Sequence, residues 1–390
     1  MILTISSFNM NGKKIDIANY NPGKPLVIAM SGGVDSSVAA VLLKDAGYEC
    51  SALFMKSWDE KNPGGSCRWE DDVTDALHIC EKLKIEINTV DLTAEYETQV
   101  FKDFIESYSQ GFTPNPDIIC NKKIKFEVFA ELARKIGAKK IATGHYANVE
   151  TTSSSILLKK GKDPEKDQSY FLSGLNQEQL QFSMFPLGEM RKKEVRDIAK
   201  KYNLVNSEKK STSGICFIEQ KSFRDFITNY IKDKPGDIQT LGNLIIGEHR
   251  GLHLYTIGQR KGLGIGGMKN AHGTPWFVVN KDLKQNILYV AQGEDHPALL
   301  SNRLMASNAF WIEGKSPKFP LCCGAKIRYR QADQACKIEA QGDGKLCVTF
   351  KKPQRAIAPG QTIVFYKGDL CLGNAIIESN CNFNNFNNKF

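Results

Sequence analysis

The stretch that most constrains the fold is residues 27–46, where a short apolar run leads through a loop of small residues into a helical pattern. Val27 and Ile28 are β-branched and favour a strand, which ends at Ser31-Gly32-Gly33. Apolar residues then recur at helical spacing as far as a stop at Gly47. In such a strand–loop–helix unit, backbone N–H groups and the helix N-terminus point at one place. The pattern therefore predicts an anion site at the loop.

The loop has the composition of a phosphate-binding turn. Gly32 and Gly33 permit positive φ and close approach of a ligand, and Ser31 and Ser36 add hydroxyl donors. No lysine follows, which excludes the GxxxxGK[ST] loop of kinases and GTPases. The run SGGVDS instead resembles the SGGxDS pyrophosphate loop of ATP pyrophosphatases. That resemblance implies an enzyme that binds ATP, adenylates an acceptor and releases pyrophosphate.

From Pro25 to about Phe223, strand and helix patterns alternate. The predicted strands are 25–30, 50–55, 85–90, 139–145 and 155–160, and the predicted helices are 36–46, 74–83, 95–110, 126–137 and 192–203. Such alternation predicts a parallel sheet covered by helices on both faces, with ligands at the carboxyl ends of the strands. The loop at Ser31 and the run Thr143-Gly144-His145 both follow predicted strands.

Changes in composition divide the chain into five predicted segments. They are an N-terminal extension (1–22), an α/β PP-loop ATP-binding catalytic domain (23–223), a Gly-rich small α+β domain (224–296), a β-barrel domain (297–380) and an Asn-rich tail (381–390). The barrel is predicted from short strands at 325–330, 335–340, 346–350, 362–367 and 370–377, separated by Gly, Pro, Asp and Lys.

Charge and cysteine content narrow the functional class. Of the net charge of +9, the residues from Pro297 onward carry 13 Lys and Arg against 6 Asp and Glu, a net +7 that suits a polyanion partner.

Eleven cysteines without a secretory signal indicate a reducing cytoplasm. The sequence has no CxxC pair, so we expect no structural metal site. We also expect no membrane span, because no apolar run approaches about 18 residues.

Two cysteines are candidate nucleophiles. Cys120 ends the run TPNPDIIC, whose two prolines predict an extended, non-helical path, and three lysines follow it within five residues. Cys216 lies in a second small-residue loop, preceded by Lys209 and Lys210. Neighbouring cations lower the pKa of a thiol and raise its thiolate fraction. Each cysteine alone is more typical of a structural residue, and their loop positions beside lysines favour a functional one.

Seven motifs, spread from about Pro25 to Ala375, are similar in sequence and order to those of the bacterial tRNA-specific 2-thiouridylases. They are SGGVDSS, TPNPDIICNKKIKF, ATGHYA, KDQSYFLSGL, STSGICFI, LYTIGQRKGLGIGG and KIRYRQ. That family installs sulfur at carbon 2 of the wobble uridine of certain tRNAs. No single motif carries the resemblance, which covers nearly the whole chain.

The resemblance implies roles for individual residues. ATP would contact Ala29, Met30, Ser31, Gly32, Gly33, Val34, Asp35 and Ser36, with Met55 and Gly144 on the adenine and ribose side and His145 beside the nucleotide. The target base would contact Asn115, Pro116 and Asp117. The remaining tRNA contacts would be Lys166, Asp167, Gln168, Arg328 and Tyr329, with Gln361 near the substrate.

The resemblance also implies the chemistry. ATP with Mg²⁺ would adenylate the oxygen at carbon 2, and Cys216 would carry a persulfide delivered by a sulfur-relay protein or a cysteine desulfurase. The terminal sulfur would attack carbon 2 directly, or it would be freed as hydrosulfide when Cys120 attacks Cys216, and either route would leave a transient Cys120–Cys216 disulfide. An alternative is the same product made through an iron–sulfur cluster held by Asp117, Cys120 and Cys216.

Two other functional classes stay open at this level. A different ATP pyrophosphatase, such as an amidotransferase-linked synthetase or an argininosuccinate-type ligase, would share the loop but needs no paired loop cysteines. A non-catalytic tRNA-binding module would retain the basic barrel, but the presence of Asp35, Cys120 and Cys216 argues against it.

Overall fold

The structure is a computed structural model that describes residues 7–10, 13–16, 25–58, 68–210, 223–265 and 274–380. Cys216 with its motif and the Asn-rich tail fall outside the described residues. Within the predicted N-terminal extension, β1 (Ser7–Met10) and β2 (Lys13–Asp16) pair antiparallel. None of the helices in the described ranges is long and apolar enough to cross a membrane.

Strands and helices alternate through the first large unit. In chain order they are β3 (Leu26–Met30), α1 (Val34–Asp45), β4 (Cys50–Lys56), α2 (Arg68–Leu83), β5 (Ile87–Asp91), α3 (Thr93–Tyr96), α4 (Lys102–Ser109), α5 (Pro116–Ile119), α6 (Phe129–Lys135), β6 (Lys140–Ala142), β7 (Ala147–Thr151), β8 (Ile156–Lys160), α7 (Ser169–Leu172), α8 (Gln177–Gln181), β9 (Ser183–Met184) and α9 (Lys192–Lys201). Glu97–Phe101 joins α3 to α4, and Cys120–Val128 joins α5 to α6, as π-helical turns within continuous helices.

The predicted parallel sheet is confirmed. Its strand order is β5-β4-β3-β6-β9, and every pairing in it is parallel. The central strand β3 is buried on both faces: Val27 packs in one apolar core, and Leu26 and Ile28 pack in another. A strand covered on both sides is expected to be continuously apolar, which is what the sequence pattern showed.

The middle of the chain folds around a small sheet. Its elements are α10 (Phe223–Thr228), β10 (Gly236–Thr240), β11 (Ile245–His249), β12 (Trp276–Asp282) and β13 (Ile287–Gln292). The strand order is β11-β10-β13-β12, with β10 and β13 parallel and the other pairs antiparallel.

The C-terminal unit is a closed antiparallel barrel, as predicted. Its strands are β14 (Leu300–Trp311), β15 (Leu321–Lys326), β16 (Gln334–Ala340), β17 (Leu346–Arg355), β18 (Thr362–Lys367) and β19 (Leu370–Asn380). The order β14-β17-β16-β15-β18-β19 closes through a β14–β19 pairing around fully buried Leu304, Ile338 and Phe365. The segment boundaries at 23, 224, 297 and 381 stay predictions.

Two strand predictions need correction. The strand predicted at 155–160 forms as β8, but it pairs antiparallel with β7 and meets β19 through Leu370 and Lys159, so it extends the barrel sheet. The strand predicted at 325–330 is β15 and ends at Lys326, and Arg330 in the following turn has φ of +65°. Alternating apolar residues do not report which sheet a strand joins, and the turn breaks the strand despite its β-prone residues.

Candidate functional site

Three strands deliver the predicted nucleotide residues to one edge of the parallel sheet. Met30 of β3 pairs with Phe54 of β4, and Ile28 pairs with Ala142 of β6. Ala29 and Met30 therefore end β3 beside half-buried Met55 at the end of β4 and Gly144 just after β6. The loop 31–33 lies at this edge, and α1 starts at Val34.

The loop is held tightly by its own hydroxyl groups. The backbone N–H of Ser31 donates to Ser36 Oγ (3.2 Å), and Ser36 Oγ donates to the carbonyl of Gly33 (3.0 Å). Gly32 adopts φ of +67°, and a Cβ there would lie 2.1 Å from the carbonyl oxygen of Asp72. A glycine is required at this position on both counts. The result is a rigid turn at the N-terminus of a 12-residue helix.

Gly144 packs its backbone against this turn. A Cβ at position 144 would lie 2.7 Å from the backbone carbon of Asp35 and from the backbone nitrogen of Ser36. The next residue, His145, accepts or donates a 2.7 Å hydrogen bond between its Nδ1 and Thr143 Oγ1, and its ring lies 5.8 Å from that of Phe126. Burial, aided by the charge of Lys125, holds the pKa of His145 well below its usual range. The imidazole at this edge is therefore neutral at pH 7.

Asp35, in the first turn of α1, has two partners that the sequence analysis did not identify. Tyr146 Oη donates to its Oδ1 at 2.7 Å, and Lys192 Nζ lies 2.5 Å from the same oxygen. Burial, reinforced by the Asp35 carboxylate, raises the pKa of Tyr146, so its hydroxyl stays a donor. Tyr146 belongs to the ATGHYA motif, whereas no feature of the sequence links Lys192 to this loop.

Two further residues support the loop from behind. Asn206 Nδ2 donates to the carbonyl of Gly32 and to Ser37 Oγ, each at 2.9 Å. Lys209 Nζ lies 2.8 Å from Asp72 and 2.5 Å from Asp75. The sequence analysis assigned Lys209 to the activation of Cys216, but its ammonium is engaged by these two carboxylates. Lys209 Nζ also donates to the carbonyl of Gly32 (3.4 Å), so its contacts support the loop 31–33.

The extended path predicted before Cys120 is wrong from Pro116 onward, whereas Thr113, Pro114 and Asn115 are non-helical as predicted. Pro116 starts a helix, and the Asn115 side chain caps it by accepting from the backbone N–H of Asp117 (3.2 Å). The helix continues through the π-helical turns, and Cys120 lies within it, 2% exposed. Proline is well suited to the first helical position, where its missing N–H would have no partner in any case. Cys120 is thus helix-borne and not loop-borne.

The three lysines after Cys120 make contacts of their own. Lys122 Nζ lies 4.5 Å from the Phe310 ring centroid, Lys123 pairs with Glu127 at 3.2 Å, and Lys125 acts on His145. The effect of these lysines on the pKa of the Cys120 thiol stays a prediction.

The barrel meets the segment before Cys120 directly. Gln361 Nε2 donates to the carbonyl of Thr113 (2.7 Å), and the backbone N–H of Thr113 donates to the carbonyl of Pro359 (3.0 Å). Tyr170 Oη donates to the carbonyl of Thr362 (2.7 Å). An open cavity of about 620 Å³ lies at this junction, with walls that include Phe112, Asn115, Ile118, Gly360, Asn374 and Glu378. The structure thus brings predicted base-contacting Asn115 close to Gln361.

Arg328 and Tyr329 lie in the turn after β15. The Tyr329 ring is 4.4 Å from the ring of Phe171. Arg328 is exposed and donates to the carbonyls of Arg355 (2.9 Å) and Ala356 (2.5 Å). These bonds hold the guanidinium at the surface, where it can also meet an anion.

In the segment predicted to contact tRNA, Asp167 is buried and Lys166 and Gln168 are half-buried. Asp167 is 4% exposed, accepts from the backbone N–H of Ser169 (3.1 Å) and lies 3.3 Å from Lys326 Nζ. Gln168 Oε1 accepts from the backbone N–H of Tyr146 (3.0 Å). The placement of Asp167 fits an internal anchor better than a tRNA contact, because an enclosed carboxylate offers little surface to a partner.

Comparison with family models covers most of the chain. A model described as a tRNA methyl transferase HUP domain matches residues 24–220. Models described as a tRNA methyl transferase PRC-barrel domain and an aminomethyltransferase beta-barrel domain match residues 224–292 and 301–377.

Comparison with curated proteins finds relatives along nearly the full length. The tRNA-specific 2-thiouridylase MnmA of Stutzerimonas stutzeri is 48% identical over 90% of this chain and 94% of its own. Those of Methylobacillus flagellatus and Methylococcus capsulatus are 48% and 49% identical, over 91% and 90% of this chain and 99% and 96% of their own. Among solved structures, a 4-thiouridine synthetase–RNA complex with bound ATP is 18% identical over 50% of this chain and 44% of its own, with a TM-score of 0.33. A likeness that low supports no argument about this chain.

Proposed function

The chain belongs to the family of tRNA-specific 2-thiouridylases, and from that premise we propose which of its residues carry the reaction. It is a tRNA-uridine sulfurtransferase that uses ATP to replace the oxygen at carbon 2 of uridine with sulfur. The observation that carries this conclusion is the 48% identity along some nine-tenths of the chain. We propose that the substrate position is the wobble uridine and that the enzyme works in the cytoplasm.

We assign the ATP phosphates to the turn at 31–33 and the first turn of α1. Backbone N–H groups and the helix N-terminus converge there, which favours an anion. Met55 and Gly144, at the same edge, would border the adenine and ribose, with neutral His145 beside them. The Asp35 carboxylate fits Mg²⁺, which prefers carboxylate and phosphate oxygens, and bound Mg²⁺ would offset phosphate charge.

We assign the tRNA to the junction between the barrel and the helix that carries Cys120. Asn115 would meet the target base, since it lines the cavity at this junction with Gln361 close by, and Pro116 and Asp117 would follow it at the start of α5. Arg328 and Tyr329 would contact the tRNA beyond the base. The net +7 of the residues from Pro297 onward supports this assignment, because phosphates dominate the affinity for nucleic acid.

The proposed reaction has three steps. The oxygen at carbon 2 of uracil bonds to the α-phosphorus of ATP, pyrophosphate leaves with the electron pair of the broken bond, and N3 loses its proton. A persulfide on Cys216, delivered by a sulfur-relay protein or a cysteine desulfurase, attacks carbon 2 and AMP leaves. The Cys120 thiolate then attacks the Cys216 sulfur, which frees the 2-thiouridine and leaves a Cys120–Cys216 disulfide for a cellular dithiol to reduce.

The iron–sulfur alternative is not favoured. Carboxylates suit Mg²⁺ or Ca²⁺ better than an iron–sulfur cluster, so Asp117 would be a weak third ligand. Asp117 and Cys120 lie one helical turn apart, and the third proposed ligand, Cys216, falls outside the described residues.

Anaerobic reconstitution tests the proposal. The purified chain is given ATP, Mg²⁺, unmodified tRNA and a persulfide donor, and the nucleosides are analysed by mass spectrometry. We expect ATP-dependent 2-thiouridine with the wild type and with Cys322→Ser, a control for an exposed cysteine of the barrel. Cys216→Ser should fail to hold labelled sulfur, whereas Cys120→Ser should accept it without completing turnover.

The state of the two thiols separates the two routes to the product. After one turnover without reductant, peptide mapping should recover a Cys120–Cys216 disulfide. Free thiols after a completed turnover, together with iron and acid-labile sulfide in the protein, would instead establish the cluster route. Absence of 2-thiouridine under all donors, with unchanged tRNA nucleosides in cells lacking the protein, would contradict the function itself.

A further inference from the structure

The residues of the proposed phosphate loop themselves supply no full positive charge to offset the phosphates of ATP. The SGGVDS turn lacks the lysine that follows the loop in kinases and GTPases, and its own ionisable side chain, Asp35, is negative. Backbone N–H groups and a helix N-terminus contribute only fractional positive charge. The proposed Mg²⁺ would offset part of the charge of a triphosphate, and the charge that builds up on the departing pyrophosphate favours a further cation close by.

One lysine, Lys192, lies beside the first turn of α1. Lys192 comes from the start of α9, and its Nζ lies 2.5 Å from Asp35 Oδ1. Its side chain is only 13% exposed, and Nζ is 5.9 Å from the ring centroid of Tyr146. The backbone N–H of Lys192 donates to Asp163 Oδ2 (2.8 Å), which fixes where the side chain leaves the helix. The start of α9, held by Asp163, thus directs the Lys192 ammonium at the first turn of α1.

We propose that Lys192 binds the β- and γ-phosphates of ATP and stabilises pyrophosphate as it leaves, exchanging its Asp35 contact for phosphate oxygens. This inference rests on the proposed function, since it assumes that ATP occupies the loop. In the adenylation step the bond from the α-phosphorus to the bridging oxygen breaks, and the electron pair goes to pyrophosphate. Lys192 offsets the negative charge that accumulates there.

A purely structural ion pair is the rival explanation, and the surroundings argue against it. Burial lowers the pKa of Lys192, although Asp35 opposes this effect. Asp35 has a second donor in Tyr146, so the carboxylate keeps a hydrogen bond when the lysine moves to another anion. A phosphate bound in the loop would replace Asp35 as the partner of the Lys192 ammonium, so the buried charge would stay paired.

The chain offers a matched control. Lys193 is the next residue of the same helix and is exposed. Lys192→Met and Lys192→Gln remove the charge at the loop, Lys193→Met removes the same charge one residue away, and Lys192→Arg keeps a cation at the site. Calorimetry without tRNA measures the affinity of each protein for ATP, pyrophosphate and AMP.

We expect the neutral Lys192 variants to bind ATP and pyrophosphate about 10- to 100-fold more weakly, the range for loss of one hydrogen bond to a charged group. Their affinity for AMP should change less than about threefold, and Lys192→Arg should recover much of the loss. Lys193→Met should match the wild type. Equal losses for ATP and AMP, or wild-type affinities in the neutral variants, would overturn the proposal. Failure of the wild type itself to bind ATP would instead overturn the ATP assignment.

A measurement on the unaltered chain decides the matter if the neutral variants do not fold. Reductive methylation of lysines is followed by peptide mass spectrometry, with Lys193 as internal reference. Pyrophosphate should slow the modification of Lys192 at least severalfold relative to Lys193. An unchanged ratio of the two rates would refute the contact.

Discussion

Replacing Asp167 by alanine should destabilise the junction between the ATP-binding unit and the barrel. Asp167 Oδ1 accepts from the backbone N–H groups of Gly161 and Ser169, each at 3.1 Å, and Oδ2 lies 3.3 Å from Lys326 Nζ. Asp167 is 4% exposed and Lys326 is 8% exposed. Truncation therefore removes the acceptor of two amides and leaves a buried ammonium with the more distant Asp333 carboxylate, 3.9 Å away.

The expected loss follows from these contacts. Removing one partner of a buried ion pair costs about 3–5 kcal/mol, and we place Asp167→Ala near the lower end, at about 3 kcal/mol, because Asp333 retains part of the pairing. Lys326→Met should cost less, about 1–2 kcal/mol, because Asp167 keeps its two amide donors. This asymmetry between the two partners is the signature of an internal anchor.

Hydrogen exchange followed by mass spectrometry measures the loss of stability at the junction itself. A loss of about 3 kcal/mol corresponds to roughly 100-fold faster exchange of amides that open with the junction, above all those of Gly161 and Ser169. Urea denaturation gives the global loss for both variants. If Asp167→Ala exchanges like the wild type and denatures at the same urea concentration, while its affinity for tRNA falls, the reasoning is refuted and Asp167 is a tRNA contact.

Three further variants probe the ATP site and the tRNA surface, and a fourth probes a buried lysine. Asp35→Ala should abolish pyrophosphate release while tRNA affinity in a filter assay stays within a few fold; a comparable loss of tRNA binding would contradict this division of labour. Gly144→Ala places a methyl group 2.7 Å from the loop backbone and should weaken ATP binding about 10-fold or more by calorimetry. Arg328→Ala should weaken tRNA binding by about 1–3 kcal/mol and lower the salt slope, and an unchanged slope would show that no phosphate contact was lost. Burial lowers the pKa of Lys281 to about 8, so the unfolded chain, with a pKa near 10.4, binds more protons between these values. Wild-type stability relative to Lys281→Met should therefore rise with pH from about 8 to 10.4, and a constant difference would disprove it.

The sequence by itself determined the elements whose physics is local. The apolar run of β3, the pair of glycines at 32 and 33 and the helical spacing of α1 are all properties of neighbouring residues. The structure has the strand and the helix as predicted, and of the two glycines Gly32 takes positive φ. The barrel strands β16 and β18 followed from short alternating runs between turn residues in the same way. The helix at Pro116 was missed, although an Asn before a Pro is an N-terminal capping signal that the extended interpretation did not weigh.

Only the tertiary structure decided how the site is assembled. Lys192 meets Asp35 across 157 residues of chain, Asp167 meets Lys326 across 159, and Gln361 meets Thr113 across 248. Periodicity tells which face of an element is buried, but it does not tell which other element covers that face. Which element covers a face depends on how the three units pack together, and the same packing decides which buried charge finds a partner. Both outcomes depend on many contacts between distant residues, so no short stretch of sequence contains them.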